Sequence, residues 1–331
     1  MNDTTVNEAS NDHPDSRTRP ALTRPADFMD FWGATLATLE AIDPEPRLYG
    51  GHCETSQLCL EELTFPSLDG AIIHGYLLSW RDDRPRPLVV HAHGYGSQYH
   101  IMEHWARNDG VDVVGFDARG FGRSRGAVAE LSPHGYVLTA IESPHTSILR
   151  GAVCDYLQAY RMAHRRLGAR APRTIFCGTS FAGGLAVMAA AISHAADLLA
   201  VGVPTFGWAQ GRRRLARQGS GAEINTYLAT HPWAESQVME TLRYFDTMNF
   251  ADLVRCPSLV GVGRRDKVVP AATVYAIANH MTCFHEVREF PVSHSLEPEE
   301  ILWQAFEEEW LGLLKHGIAT GFGTRRVRRI S

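Results

Sequence analysis

Ser180 stands in the heptapeptide Gly178-Thr179-Ser180-Phe181-Ala182-Gly183-Gly184, between a strand-like run at 173–177 and a small-residue helix at 185–191. A serine on a tight, glycine-lined turn between a buried strand and a helix has its hydroxyl forced outward, as in a nucleophile elbow. The helix N-terminus behind it offers backbone N–H groups to a developing negative charge. The string departs from G-x-S-x-G only at Ala182, the smallest change that position could take, and Gly183 and Gly184 follow at once. A free hydroxyl is a poor nucleophile at neutral pH, so the serine needs a base and a group to orient that base.

Asp266 and His294 fit those roles. Residues 257–263 (PSLVGVG) read as a buried strand bounded by glycine; Asp266 lies on the loop after it, and Pro270 starts a helix at about Ala271. Residues 285–290 (HEVREF) alternate like an edge strand, with His294 in the loop that follows. His294 would take the Ser180 proton, and Asp266 would fix the imidazole tautomer and stabilise the imidazolium. Each has a plainer reading: Asp266 could pair with Arg264, Arg265 or Lys267, and His294 is one of 16 histidines. The ordered set on three strand-end loops carries the assignment, and the order Ser, Asp, His is that of the α/β-hydrolase fold.

An oxyanion hole has candidates too. Residues 87–92 form an apolar strand, and His93-Gly94-Tyr95-Gly96 is the loop after it. The donors would be the backbone N–H groups of Tyr95 and of Phe181, the residue after the nucleophile. His91, His93 and His100 invite a zinc reading, since an H-x-H pair on a strand puts both rings on one face. No acidic or cysteine ligand nearby completes the set, so no metal is assigned. Residues 117–124 (DARGFGRS) lack the G-x-G-x-x-G spacing and the acidic residue of a dinucleotide fold, so no cofactor is assigned either.

The 331 residues are 44% hydrophobic and 21% charged with a net charge of −5, an ordinary globular balance that argues against a nucleic-acid partner. The basic cluster at 325–329 reads as a solvated tail. The N-terminus has no apolar core of a secretory signal, and no window is long and apolar enough to span a membrane. Six scattered cysteines without metal spacing fit a reducing compartment, and the expectation is a cytoplasmic protein with no membrane partner.

Along the chain, residues 1–22 read as a disordered leader, 23–317 as one α/β domain and 318–331 as a basic tail. An apolar stripe of Phe28, Phe31, Trp32, Leu36 and Leu39 predicts a first helix over about 25–42. Two β segments follow near 59–65 and 72–80, joined by Leu68-Asp69-Gly70. Strands near 87–92, 111–116, 173–177, 199–203, 257–262 and 285–290 then alternate with helices, which implies a mostly parallel sheet covered on both faces, with the site at its carboxyl edge. The long stretch 122–149 reads as a functional or interface loop. A mostly helical insertion at 204–249, before the acid-bearing strand, is a lid candidate whose Trp208 and Trp233, with Phe121, would wall a substrate site. Packing of these aromatics onto the body is the plainer reading for each.

From about Arg24 to Gly317 the chain resembles the acetyl xylan esterase / cephalosporin C deacetylase family. The likeness rests on RPADFMDFW, HGYG, FDARGFGRS, LRGAVCDYLQAYRMA, GTSFAGG, TLRYFDTMNFADLVRCPSLVGVGRRDKVVP and FPVSH. The resemblance implies an α/β-hydrolase domain, a triad of Ser180, Asp266 and His294, no cofactor, and ring-like homo-oligomers, often hexamers, acting on a small-molecule ester. Where the family reads RGQ, G-x-S-Q-G and His-Glu, this chain has Arg119-Gly120-Phe121, Gly178-Thr179-Ser180-Phe181-Ala182 and His294-Ser295. Two phenyl rings in place of two amides remove hydrogen-bonding capacity and point to a less polar ester, thioester or lactone than an acetylated sugar; alternatively the two rings pack on each other and leave specificity unchanged. The same triad suits amide or C–C bond hydrolysis, and a hydrolase fold kept as a binding protein is the non-enzymatic alternative.

Overall fold

The computed structural model describes residues 15–52 and 57–290, together with Gly312 and Lys315. A first helix, α1 (Phe28–Glu40), buries Phe28, Phe31, Trp32 and Leu39 on one stripe. Three antiparallel strands follow: β1 (Arg47–His52), β2 (Leu58–Pro66) and β3 (Ile72–Trp80). The remaining strands are β4 (Leu88–Ala92), β5 (Asp112–Phe116), β6 (Thr174–Thr179), β7 (Leu198–Gly202), β8 (Ser258–Gly263) and β9 (His285–Phe290). β4, β5, β7 and β8 are buried along their whole length, as strands covered on both faces must be.

The sheet order is β1-β2-β3-β5-β4-β6-β7-β8-β9, parallel from β5 to β9. Helix α2 (Glu103–Asp109) carries the chain from β4 outward to β5; α3 (Ile148–Leu167) and α4 (Phe181–Ser193) carry it the other way, to β6 and β7. Right-handed crossovers therefore put α2 on one face and α3 and α4 on the other. The chain reverses direction between β4 and β6, where open α/β sheets hold their ligands. Those two strands pair only from Leu88↔Thr174 to Val90↔Phe176. Beyond that point the Tyr156 hydroxyl, from α3, fills the gap: it lies 2.6 Å from the Val90 carbonyl and accepts the Cys177 N–H at 3.0 Å.

Between β7 and β8 the insertion folds as α5 (Ala209–Leu215), α6 (Gly219–Thr230) and α7 (Glu235–Leu242), with 3₁₀ turns at Pro232–Ala234 and Thr247–Leu253. Helix α8 (Ala271–Ala278) joins β8 to the edge strand β9 and begins directly after Pro270. Among the described residues no helix is long and apolar enough to cross a membrane.

Two expectations change. The leader boundary at residue 22 is too late: Asn279 Nδ2 donates to the carbonyls of Ser16 and Thr18, Arg19 Nε donates to the Asn279 carbonyl, and His280 meets the Pro20 carbonyl. Backbone groups make most of these anchors, so composition does not reveal them. Strand β1 is also an addition, because Gly50-Gly51 inside RLYGGH weakens a strand signature; its register shifts between Leu48 and Gly50. The expected boundary at 317, the tail at 318–331 and Cys53 lie outside the described residues. The other five cysteines are free thiols.

Candidate active site

Close packing forces the turn after β6. Ser180 is the N-cap of α4, with φ +57° and ψ −115°, a positive-φ conformation that costs a non-glycine residue energy and is kept where the surroundings impose it. A Cβ on Gly178 would come within 2.5 Å of the Ala182 carbonyl carbon, and one on Gly184 within 2.9 Å of the Thr205 carbonyl oxygen. Both positions therefore require glycine. Ala182 is fully buried and its methyl fits the space that Gly178 leaves open, which is why alanine serves where a second glycine was expected. The Ser180 backbone is clamped by its N–H to the Gly202 carbonyl at 2.9 Å and by its carbonyl, which accepts from Thr205 N–H at 3.1 Å. α4 is apolar on every side and buried over 181–191, so the elbow rests on a rigid core helix.

The loop beside it, after β7, holds Val203, Phe206 and Trp208 at φ +39°, +72° and +52°. Such a run of non-glycine residues in the left-handed region stores strain next to the nucleophile. Asp246 holds it in place: its carboxylate accepts the N–H groups of Trp208 and Ala209, both at 2.7 Å, and that of Met248 at 3.0 Å. Burial pushes the Asp246 carboxyl up to about 6 despite those donors.

Asp266 follows β8, two strands from β6. Its Oδ1 accepts the N–H groups of Val268 and Val269, each at 2.9 Å, which fixes the carboxylate's orientation, and the residue is buried. Strand ends two positions apart are separated by about 10 Å, space for one imidazole between the two side chains. His294 lies outside the described residues; β9, which leads to its loop, pairs with β8 through Gly263↔Phe290.

Tyr95 follows β4, on the other side of β6 from β7. The imidazole of His93 orients its peptide. His93 Nε2 lies 3.1 Å from the Ala118 N–H, which can only donate, so Nε2 is the unprotonated nitrogen and Nδ1 carries the proton. Nδ1 then donates to the Gly94 carbonyl at 2.7 Å. The Gly94 carbonyl and the Tyr95 N–H belong to one planar trans peptide and point in opposite directions. Holding the first aims the second away from His93. Burial lowers the His93 pKa, in keeping with a neutral ring. Phe181, the first residue of α4, has an N–H with no intrahelical acceptor. His91 is engaged elsewhere: its Nε2 is 2.7 Å from the Tyr76 hydroxyl. Among the described residues no cluster suited to a metal exists.

The two phenylalanines at the signature positions meet. Their ring centroids are 5.6 Å apart at 70°, Phe121 stacks on Tyr136 at 4.1 Å and 28°, and Tyr95, His93 and Phe206 close the cluster around Phe181. Phe181 is completely buried, whereas Phe121 is half-buried. Only Phe121 can present a ring face to a ligand. Trp208 packs over Gly211 and lines a cleft with Leu22, Thr23, Met239 and Arg243. Trp233 is a correction: it is 77% exposed and its ring meets His231 at 5.2 Å, so in the single chain it walls no buried cleft. A 3₁₀ turn led by Pro232, between α6 and α7, carries it.

The insertion nevertheless reaches the site. Arg217 N–H donates to the Lys267 carbonyl in the Asp266 loop. Glu223 of α6 accepts a hydrogen bond from the Tyr95 hydroxyl. Arg212 of α5 is buried with its Cζ 5.2 Å from the Phe206 ring centroid, and burial lowers its pKa to about 10. No sequence motif singles out Glu223, Arg212 or Phe206, because each is defined by partners distant in the chain.

The acetyl xylan esterase (AXE1) family model matches residues 16–305. The acetyl xylan esterase from Paenibacillus sp. R4 superposes with a TM-score of 0.80 at 23% identity, over 92% of this chain and 98% of that one. Acetyl xylan esterase 1 from Thermoanaerobacterium sp. JW/SL YS485 gives 0.78 at 22%, over 90% and 97%. The uncharacterized protein YfhR of Salmonella typhi is 24% identical over 246 residues, 71% of this chain and 74% of its own length. The two structural likenesses extend the shared α/β-hydrolase architecture over nearly the whole of each partner. With the family model spanning nearly the whole described chain, this protein is a member of the acetyl xylan esterase family and, by class, a serine ester hydrolase.

Proposed function

We propose that the chain hydrolyses a small carboxylic ester through an acyl-enzyme, and that its preferred ester is less polar than an acetylated sugar. Ser180 attacks the carbonyl as His294 takes its proton; Asp266 orients the imidazole; the N–H groups of Tyr95 and Phe181 receive the oxyanion. His294 then protonates the leaving alcohol and activates water for deacylation. The observation that carries this reading is the elbow itself: a serine at φ +57°, packed so that Gly178 and Gly184 tolerate no side chain, beside a peptide oriented by His93. The polarity preference is supported by the half-buried Phe121 ring within the aromatic cluster; the buried Phe181 contributes packing only.

A fluorophosphonate probe tests the first part: labelling of the native protein that disappears in Ser180→Ala is the expected result, and a native chain that takes no label favours a binding protein. A substrate panel tests the second. Aryl and longer acyl esters should exceed acetylated xylose in kcat/KM, and a clear preference for the sugar acetate would end the polarity argument.

A further inference from the structure

The loop that presents the Tyr95 N–H is held by its own backbone through one turn hydrogen bond, from Ser97 N–H to the Gly94 carbonyl at 3.1 Å. Tyr95 lies between two glycines, Gly96 sits at φ +73°, and residues 96–98 are exposed. His93 fixes one end of the Gly94–Tyr95 peptide. A further restraint is the Tyr95 side chain, which crosses to the insertion. Its hydroxyl donates to Glu223 Oε2 on α6, 128 residues away in sequence, and accepts the Val137 N–H at 3.3 Å. Its ring is boxed by Phe121, Tyr136 and Phe181 at 5.7–5.8 Å.

Glu223 is itself pinned. Gly135 passes so close that a Cβ there would collide with Glu223 Oε2, and at φ +136° only glycine fits comfortably. Three segments thus converge on one carboxylate: the loop after β4, the 122–149 stretch and the insertion. Burial raises the Glu223 pKa, and the Tyr95 hydrogen bond and the Arg212 charge oppose that rise.

We propose that Glu223 is a positioning residue for the ester hydrolysis: through the Tyr95 hydroxyl it sets the direction of the Tyr95 N–H, so that seating of the insertion and completion of the oxyanion hole are one event. This role rests on the esterase function proposed for Ser180. Glu223 touches no reacting atom; it acts on the donor through a side chain held between two glycines. A carboxylate that served only to dock α6 would change stability and leave the transition state alone. One that aims a donor changes kcat and spares KM, because the donor bonds the oxyanion more strongly than the ground-state carbonyl.

The experiment compares Glu223→Ala, Glu223→Gln, Tyr95→Phe and the double variant Tyr95→Phe/Glu223→Ala with the native enzyme on an aryl acetate. Affinity for a trifluoromethyl ketone, a mimic of the tetrahedral intermediate, is measured alongside. Glu223→Ala and Tyr95→Phe should each lower kcat about tenfold and ketone affinity equally, with KM within about twofold. The double variant should lose no more than either single one, and Glu223→Gln, which keeps an acceptor oxygen, should recover most of the rate. Multiplicative losses in the double variant, an unchanged kcat, or an effect confined to KM would overturn the proposal. Where Glu223→Ala folds poorly, Tyr95→Phe and Glu223→Gln decide alone. A native enzyme that hydrolyses no ester overturns the esterase reading itself; native hydrolysis with an unaffected Glu223→Ala overturns only the role given to Glu223.

Discussion

The Tyr156 hydroxyl stands 2.6 Å from the Val90 carbonyl, at the point where β4 and β6 stop pairing and diverge toward Tyr95 and Ser180. One buried hydroxyl thereby satisfies backbone groups that the missing ladder would leave alone, since it also accepts from Cys177 N–H three residues before the nucleophile. The crevice at the switch point can open only because these groups are supplied from α3. Tyr156→Phe should cost about 1–3 kcal/mol, the usual penalty for stranding a buried polar group. The elbow should loosen with it, so that probe labelling at Ser180 slows more than the loss of stability explains. Denaturant unfolding and labelling rates check both, and a variant as stable and reactive as the native chain would remove the hydroxyl from the account.

The alternation of apolar strand and helix was legible because the central strands are buried on both faces and so read as continuous apolar runs. Ser180 was legible because its turn needs small residues at fixed offsets, a constraint that acts within seven positions. Glu223 was not. Nothing near it distinguishes it from a solvated helix carboxylate, and its partner is 128 residues away. The spacing of His93 to His91 suggests metal chemistry; the structure turns that ring to a backbone task instead. For Trp233 the sequence shows a large ring but not how exposed its turn leaves it, which is 77% in the single chain.

His91 predicts a pH dependence of stability. Burial holds its pKa at about 4 against an ordinary 6.5. The unfolded chain takes up this proton below pH 6.5 while the folded chain refuses it until about pH 4, so stability falls as pH drops through that window. The loss amounts to about 3 kcal/mol for a fully buried imidazole. His93, also lowered by burial, acts in the same sense; Asp246, raised to about 6, acts in the opposite one, losing stability as pH rises. The difference between native and His91→Gln unfolding free energies, taken at pH 7.5, 5.5 and 4.5, isolates the His91 contribution. It should shrink steadily toward low pH, and a constant difference would disprove it.

His93→Ala should leave the Gly94 carbonyl held by the Ser97 N–H alone and give the Tyr95 peptide more freedom to rotate. Removing one oxyanion donor costs on the order of a hundredfold or more in kcat, so partial misalignment should cost about ten- to a hundredfold, with KM nearly unchanged. His93→Asn, whose amide Nδ2 can still donate toward that carbonyl, should lose less. Steady-state kinetics on one aryl ester decides the ordering, and equal activity of the native and alanine enzymes would show that the loop holds its shape without the ring.

Phe121 and Phe181 separate packing from specificity. Phe181 is fully buried against Phe121, Tyr95, Tyr136 and Phe206, so Phe181→Ala should destabilise by about 3–5 kcal/mol. Its N–H survives the change, so the residual folded protein should keep the esterase reaction. Phe121 is half-buried and stacked on Tyr136, so truncation there creates a smaller cavity and removes the ring face that a substrate would meet. Phe121→Gln restores an amide with two donors and an acceptor at the rim. The ratio of kcat/KM for acetylated xylose over an aryl acetate should rise about tenfold, the equivalent of one net hydrogen bond to the sugar together with a smaller apolar surface for the aryl group. An unchanged ratio would mean that the edge-to-face pair of Phe121 and Phe181 replaces two glutamines without touching the ligand, and that polarity is selected elsewhere on the rim.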